Sequence, residues 1–261
     1  MTPSAAEILA RTVQAYARCT SYRDTGEAIT ELTHLGDPAH DLTLRKPFST
    51  LFVRPSSIRH EFSYSDGADK TARRPRYVGA DKAARRIRYV VWGDAQESHT
   101  WWSTRPGVRT CTSLTESLAG AGGLSDMASW RVPSLLLAYA ELVERPAEET
   151  AALRMDAEPD GSACHVVAGT ARGGGEVELW IDAATSLLRR VRTRRMHDQA
   201  SRDATLEERA SDPKLTAAES YRLRVLTSMG GGTYWRTITT TYAAEIDTPI
   251  ASEELAFAPP A

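Results

Sequence analysis

The chain opens with apolar residues at helical spacing. Ser4 and Glu7 occupy the positions of a capping box, in which each side chain accepts a hydrogen bond from the other residue's backbone N–H. An apolar stripe follows along one helical face: Ile8, Leu9, Val13 and Tyr16. We therefore predict an N-terminal helix that ends near Cys19.

Most of the remaining chain alternates between apolar and polar positions and is rich in β-branched and aromatic residues, as strands are. The predicted strands are 22–32, 48–53, 58–64, 86–92, 98–103, 164–170, 177–181, 187–193, 221–227 and 233–246. Short turn sequences separate many of them, so consecutive strands should pair as hairpins in one antiparallel sheet.

The middle of the chain, about 113–145, carries helical signals instead. Ser113 and Glu116 form a second capping box, and three leucines at 135–137 follow Pro133. We predict a short helix ending at the glycine-rich residues 120–123 and a second helix over 134–143. The polar segment 196–219 is predicted to be a loop with a short helical piece.

These elements predict an α+β fold that forms one domain over 1–261. Its core is a curled antiparallel sheet, an incomplete β-barrel, with the N-terminal helix and a helical lid insert at about 113–145. A curled sheet can enclose an apolar hollow that holds a ligand.

A basic tandem duplication occupies 67–90. GADKTARRPRYV at 67–78 is followed directly by GADKAARRIRYV at 79–90, and ten of twelve positions are identical. Two copies cannot build a solenoid, which needs at least three units. The second copy alternates as a strand requires, whereas the first carries Pro75, which central strands do not tolerate. We predict that 79–90 is the original strand and that 67–78 is an exposed duplicate, removable with the fold intact.

Charge and cysteine content restrict the function further. The formal net charge is −2, and the two dodecamer copies contain Asp69 and Asp81, so nucleic acid is not an expected partner. Three cysteines are too few for a disulfide framework. Cys111 and Cys164 could pair in an oxidising compartment, or all three could be buried thiols. No apolar run is long enough to span a membrane, and no signal-peptide pattern occurs at the start.

Sequence signatures of catalysis and metal binding do not occur. The chain has no G-x-S-x-G elbow, P-loop, H-E-x-x-H or C-x-x-C motif, and its six histidines are dispersed. We therefore expect no catalytic residues, no metal and no cofactor.

The acidic and basic residues of 176–194 are predicted to lie on the solvent-facing side of a β-hairpin. With a turn at 182–186, the predicted pairs are Trp180 with Leu188, Glu178 with Arg190, Glu176 with Arg192, and Val177 with Val191. This register pairs acid with base throughout, so we interpret the arginines as a charged surface.

Large apolar side chains either fill the core of such a fold or line its hollow. The candidates for an apolar cavity are Phe48, Phe52, Phe62, Trp92, Trp101, Leu135, Leu136, Trp180 and Trp235.

Short motifs along nearly the whole chain carry a family resemblance. They are FVRP at 52–55, IRHEF at 58–62, RYVVWGD at 88–94, LWID at 179–182, LLRRV at 187–191, IDTPI at 246–250 and FAPP at 257–260. With the N-terminal helix, this pattern resembles the LolA-type lipoprotein-carrier superfamily, in its uncharacterised branch. Arg54 falls in the family's strand-end Arg-Pro pattern and is a candidate for the polar rim of the cavity.

The resemblance implies a half-barrel with a helical lid over a cavity for acyl chains of a lipid or lipoprotein. It also implies a periplasmic or cell-envelope location. The chain departs from the family by the basic insertion, the polar segment 196–219 and the lack of a visible export signal. We expect a monomeric, non-enzymatic binder of an apolar ligand, compatible with peripheral membrane contact. The alternative is an envelope protein-interaction or sensor module without lipid cargo.

Overall fold

The computed structural model describes residues 3–36, 38, 41–65, 86–138, 144–198 and 233–260. Within these residues, eleven strands form one antiparallel sheet that is not closed into a barrel, and helices accompany it. The predicted α+β class, with an open, half-barrel type of sheet, is confirmed.

The strands are numbered in chain order. They are β1 (Ser21–His34), β2 (Leu42–Val53), β3 (Ser57–Ser65), β4 (Arg86–Gly93), β5 (Ser98–Trp102), β6 (Arg105–Cys111), β7 (Ala152–Ala157), β8 (Ala163–Thr170), β9 (Glu176–Asp182), β10 (Leu188–His197) and β11 (Tyr234–Ile246). The helices are α1 (Ala5–Arg18), α2 (Leu114–Gly122), α3 (Ala128–Leu136) and α4 (Ser252–Leu255), and one 3-10 turn spans Glu148–Thr150.

The sheet consists of two runs of sequential strands, β1–β6 and β7–β11, which meet where β1 pairs with β11. Its order is β6-β5-β4-β3-β2-β1-β11-β10-β9-β8-β7. The joint is the long pairing of β1 with β11, which runs from Tyr22 opposite Ile246 to His34 opposite Tyr234. Strands near the two ends of the chain therefore lie side by side at the centre of the sheet.

Two strands that the sequence pattern missed both lie at the sheet's edges. β6 contains Pro106 and Gly107, and β7 is largely exposed, so neither shows the alternation of a half-buried strand. β2 begins earlier than predicted, because Arg45 and Lys46 obscure its pattern. The predicted strand 221–227 and most of the duplicated segment lie outside the described residues. The last part of the second dodecamer copy, from Arg86, lies in β4.

Both predicted capping boxes mark helix starts. The Ser4 hydroxyl accepts a hydrogen bond from the Glu7 N–H, and the Glu7 carboxylate accepts one from the Ser4 N–H at 2.7 Å. Ser113 caps α2 by accepting from the Glu116 N–H at 3.1 Å. These local signals set the helix starts because they satisfy N–H groups that have no partner within the helix.

The start predicted for the third helix is wrong. The prediction placed it at 134, after Pro133, but α3 begins at Ala128 and contains Pro133. Proline removes one backbone hydrogen bond from a helix interior. Nearly all of α3 is buried, and its burial outweighs that loss.

The predicted register of the β9–β10 hairpin is also wrong, by two residues. A register irregularity between Leu188 and Arg190 places Glu178 opposite Arg192 and Glu176 opposite Arg194. Such a bulge is not visible in the polarity pattern. The interpretation of a charged surface holds, with ion-pair distances of 3.4 Å for Arg192–Glu178 and 3.7 Å for Arg194–Glu176.

The two faces of the sheet have different coverings. One hydrophobic cluster joins Ile8 and Tyr16 of α1, Leu118 of α2 and Val132 of α3 to side chains from one side of the sheet. We call this side the inner face and the opposite side the outer face. The one-domain organisation over 1–261 stays a prediction.

Candidate functional site

Five of the predicted cavity residues lie together under the helices. Phe48, Phe52, Phe62, Leu135 and Leu136 belong to the main hydrophobic cluster, and none is more than 5% exposed. They come from the inner face of β2 and β3 and from α3. In this conformation they pack against other protein groups, and ligand binding by them stays a prediction.

The predicted tryptophans lie on the opposite side of the sheet. Trp180 is flanked by neighbours, Leu179 and Ile181, that both point into the core, so strand alternation directs its indole outward. Trp92, Trp101 and Trp235 occupy outer-face positions for the same reason. The structure therefore does not bring these four residues together with the phenylalanines.

Arginine side chains stack on the outer tryptophans. The Arg190 guanidinium carbon lies 4.9 Å from the centroid of Trp180, and that of Arg154 lies 5.7 Å from it. Arg194 lies 4.1 Å from the centroid of Trp235. These are cation–π distances, so the arginines cover the indoles while their charges stay near water.

Arg54 connects helix α1 to the end of β2. Its Nε donates to the Cys19 carbonyl and its terminal nitrogen to the Tyr16 carbonyl, both at 2.8 Å. A cation suits this position because the C-terminal carbonyls of a helix are unpaired and carry partial negative charge. In the structure Arg54 thus caps α1.

A row of buried polar side chains crosses the inner face. Asp24, Thr50 and His60 lie opposite one another on β1, β2 and β3. The Tyr22 hydroxyl donates to Asp24 at 2.7 Å, and Thr50 Oγ1 lies 3.1 Å from His60 Nδ1. Burial raises the pKa of Asp24 to about 6 and lowers the pKa of His60 to about 3. Sequence reasoning missed this row, although each residue is a polar one at an inward strand position.

An ion cluster holds the helical insert on the sheet. Asp126, between α2 and α3, is buried and accepts a hydrogen bond from Thr30 at 2.6 Å. Lys46 and Arg236 each approach its carboxylate to 2.7 Å. Asp126 and the next residue, Met127, have positive φ angles of 51° and 69°, a conformation that non-glycine residues seldom adopt. The cluster thus fixes a strained turn and ties the insert to both halves of the sheet.

The buried Arg131 of α3 strengthens this connection. It donates to the Thr240 hydroxyl at 2.7 Å and to the Asp126 carbonyl at 3.1 Å, and it pairs with Glu144 at 2.6 Å. The insert therefore contacts β11 through a charged, hydrogen-bonded side chain as well as through apolar packing.

An open cavity lies beside α1, which we call the α1 groove. Its volume is about 410 Å³. Its lining residues are Ala6, Leu9, Ala10, Val13, Arg145, Pro146, Glu148, Ala151 and Arg172. None was a predicted site residue, but the apolar stripe of α1 was a usable signal. Ile8 and Tyr16 are buried, whereas Leu9 and Val13 remain partly exposed towards the groove.

A second cavity, the basic cleft, shares two arginines with the α1 groove. It measures about 520 Å³ and is also lined by Arg145 and Arg172. The other ionisable lining residues are Glu144, Glu176, Arg194, Arg195, His197 and Arg236. Arginines outnumber carboxylates here, so an anion would meet a net positive surface.

Three further properties concern the cysteines, metal binding and membrane-spanning helices. All three cysteines are buried and free. In the part of the chain that the structure describes, no group of three or more His, Cys, Asp and Glu side chains is placed to hold a metal ion. Among the described helices, none is long and apolar enough to cross a membrane.

No family model and no curated protein matches the chain. Similar solved structures include a DUF1329 family protein from Desulfovibrio piger ATCC 29098, 13% identical over 98% of both chains, with a TM-score of 0.34. The Pseudomonas aeruginosa MucA/MucB complex matches 96% of this chain at 13% identity and a TM-score of 0.35, and the match covers 60% of that chain. A LolA superfamily protein from Nitrosomonas europaea matches over 98% of this chain and 99% of its own, at 8% identity and a TM-score of 0.28. The superfamily that the sequence motifs resemble is therefore represented among these structures.

Proposed function

We propose that this protein binds, without catalysis, an amphiphilic ligand that has an apolar chain and an anionic group. The observation that carries the proposal is the α1 groove, where an apolar helix surface stays open beside arginines. The apolar chain would lie along α1, and the anionic group would face the basic cleft.

The apolar part of the proposal rests on Leu9 and Val13. Both are partly exposed on a helix whose remaining apolar stripe is buried. A chain lying across them would remove apolar surface from water, which contributes about 0.8 kcal/mol per buried CH₂ group. The cavity volume falls within the usual range of small-molecule sites, about 300–1,000 Å³.

The anionic part rests on Arg172, which lines both cavities, and on Arg195 of the basic cleft. Within the described residues, Arg172 and Arg195 form no ion pair, whereas the nearby Arg236 and Arg194 each face a carboxylate. A phosphate or carboxylate placed between the cavities would therefore meet uncompensated positive charge, and arginine binds such groups with charge-assisted hydrogen bonds.

The groove is a better place for a ligand than the predicted phenylalanine cavity. Phe48, Phe52 and Phe62 are already packed, and the insert above them is tied down by Asp126. A ligand would have to displace the insert to reach them, whereas the α1 groove is open. The carrier role and the cell-envelope location remain predictions from the LolA-type resemblance.

Calorimetric titration with dodecyl phosphate and dodecyl maltoside, each below its critical micelle concentration, tests the proposal. Leu9→Asn should weaken binding of both by at least about tenfold, because burying a leucine contributes about 1.5–3 kcal/mol. The matched control is Leu35→Asn, since Leu35 is 60% exposed and outside the groove. It should bind as the wild type does.

The charge test uses a second pair of variants. Arg172→Ala should weaken binding of dodecyl phosphate about five- to tenfold and leave dodecyl maltoside unchanged. Arg109→Ala removes an exposed arginine elsewhere and should change neither. Absence of binding by the wild type, or unchanged binding by Leu9→Asn, would contradict the proposal and favour an interaction module without cargo.

A further inference from the structure

The segment after β11 returns across the outer face of the sheet. Its start is firmly attached, because the Asp247 carboxylate accepts hydrogen bonds from the Thr20 backbone and hydroxyl at 2.7 and 2.8 Å. The Ser21 hydroxyl also donates to the Thr248 carbonyl at 2.6 Å. We call residues 251–260, which follow this attachment, the C-terminal segment.

One aromatic ring of the C-terminal segment is surrounded by the sheet. The Phe257 ring lies 4.9 Å from the Trp92 ring and 5.4 Å from the Trp101 ring, centroid to centroid. The guanidinium carbons of Arg59 and Arg88 lie 5.5 and 5.3 Å from its centroid. We call these four outer-face residues the Phe257 cage.

The two arginines of the cage share a carboxylate of the sheet. Arg88 donates to Glu61 at 2.7 Å, and Arg59 lies 3.3 Å from the same carboxylate. Glu61 therefore positions the guanidinium groups of Arg59, on its own strand β3, and of Arg88, on the neighbouring strand β4. A preformed site of this kind loses little side-chain entropy on binding.

The sheet also contacts the backbone and a carboxylate of the segment. Arg59 donates to the carbonyl groups of Glu254 and Ala256, both at 3.0 Å. Arg23 pairs with the Glu254 carboxylate at 2.8 Å. The site thus recognises three features together: a carboxylate, the main chain after it, and an aromatic side chain three residues further on.

The contacts that hold the C-terminal segment lie at the surface of the sheet. α4 is a single turn with no buried residue, and the Arg23–Glu254 pair is more than a third exposed on both sides. Surface ion pairs of this kind stabilise weakly. A short tether gives an effective concentration of the order of millimolar, so occupancy can be high although the intrinsic affinity is low.

We propose that the outer face of β3–β5 is a peptide-binding site that the chain's own C-terminal segment occupies in the structure. Its partner in trans is a peptide of another protein that forms a helical turn followed by an extended stretch, as the segment does, with a carboxylate three residues before an aromatic residue. The arginines that face the segment, Arg23 on β1 together with Arg59 and Arg88, favour an acidic peptide, because Glu61 offsets only part of their positive charge. This site lies on the opposite face from the buried insert and does not depend on amphiphile binding.

The test uses the full chain and a fluorescent peptide with the sequence of residues 251–260. The variant Glu254→Gln/Phe257→Ala empties the site, so it should bind the peptide at least about tenfold more tightly than the wild type does. A peptide carrying the F257A change should bind at least about tenfold more weakly. Adding Trp101→Ala to the protein should remove binding of the unmodified peptide.

Glu253→Gln is the matched control, because it neutralises the glutamate beside Glu254, which has no contact with the cage. It should bind the peptide as weakly as the wild type. Hydrogen exchange provides a separate measurement: Trp101→Ala alone should raise the exchange of residues 255–258, and Glu253→Gln should not.

Three results would overturn the proposal. One is a folded Glu254→Gln/Phe257→Ala variant that does not bind the peptide. Another is binding that survives Trp101→Ala. The third is a wild-type dimer that Phe257→Ala dissociates, because it would show that the site receives the segment of a second copy.

Discussion

The inner and outer faces of the sheet use different aromatic residues in different surroundings. On the inner face, Phe52 and Phe62 pack among aliphatic side chains under the helices and are almost entirely buried. On the outer face, Trp180 and Trp235 are covered by arginines rather than by another layer of structure. Phenylalanine has no polar atom and suits a closed core, whereas an indole can remain near water and attract a cation.

This difference explains why the predicted cavity residues separate into two groups. Aromatic residues in strands indicate burial on one face, but they do not indicate which face. An outer-face tryptophan has part of its surface removed from water by a guanidinium group and its methylene stem. Among the described residues, the surfaces open to partners include the α1 groove, the basic cleft and the outer face.

The largest expected effect on stability comes from removing an aromatic side chain from the inner face. Phe52→Ala should lower the free energy of unfolding by about 3–5 kcal/mol, because it leaves a cavity in a closed core. Trp235→Ala should cost clearly less, since the indole is half-buried and its partner Arg194 can be hydrated again. Urea denaturation of both variants measures the difference. Equal losses would contradict the distinction between the faces.

The next effect concerns the attachment of the insert to the inner face. Asp126→Asn should lower the free energy of unfolding by about 2–4 kcal/mol, because Lys46 and Arg236 lose a buried counter-charge. The control Asp160→Asn changes an exposed aspartate and should leave stability nearly unchanged. Hydrogen exchange in α2 and α3 should rise only in Asp126→Asn. Unchanged exchange there would show that apolar packing alone holds the insert.

The buried polar row predicts two opposing pH dependences. The pKa of Asp24 is raised to about 6, so the folded state retains a proton that the unfolded state loses, and stability falls as pH rises from about 4 to 6. The pKa of His60 is lowered to about 3, so the unfolded state takes up a proton first, and stability falls as pH drops from about 6.5 to 3.

Single substitutions should separate the two pH dependences of stability. Asp24→Asn should be up to about 3 kcal/mol more stable than the wild type at pH 7, and this gain should disappear near pH 4. His60→Gln should keep the fall in stability between pH 4 and 6 and should show a shallower decline on the acid side, because carboxylates with lowered pKa values, such as Glu61, still contribute to that decline. Denaturation at a series of pH values measures both. A gain in Asp24→Asn that is constant with pH would refute the assignment.

The smallest expected effect on stability comes from removing one arginine–tryptophan contact on the outer face. Arg194 and Arg192 lie on the same strand and each pairs with a glutamate of β9, but only Arg194 lies over Trp235. Arg194→Gln should therefore lower the free energy of unfolding by about 0.5–1 kcal/mol more than Arg192→Gln does. If the two variants are equally stable, the stack contributes nothing measurable.

Local sequence signals predicted most of the elements. The Ser4 and Ser113 capping boxes set two helix starts, and the alternating segments within the described residues became strands. The failures have specific causes: Pro133 suggested a boundary that burial overrode, a bulge after Leu188 shifted a register, and the edge strands β6 and β7 lack alternation. The helix boundary, the strand register and the edge strands each depend on contacts with residues that are distant in sequence.

By itself, the sequence determined most element types, the alternation of the strands inside the sheet and the charged surface of the β9–β10 hairpin, because these follow from local geometry with periods of 2 and 3.6 residues. Only the tertiary structure decided that β1 pairs with β11, that the helices cover Phe52 rather than Trp180, and that Phe257 lies between Trp92 and Trp101. The helices select which side of the sheet becomes the core, and contacts between residues far apart in the chain leave no periodic signal. The groove and the outer-face site are consequences of that selection.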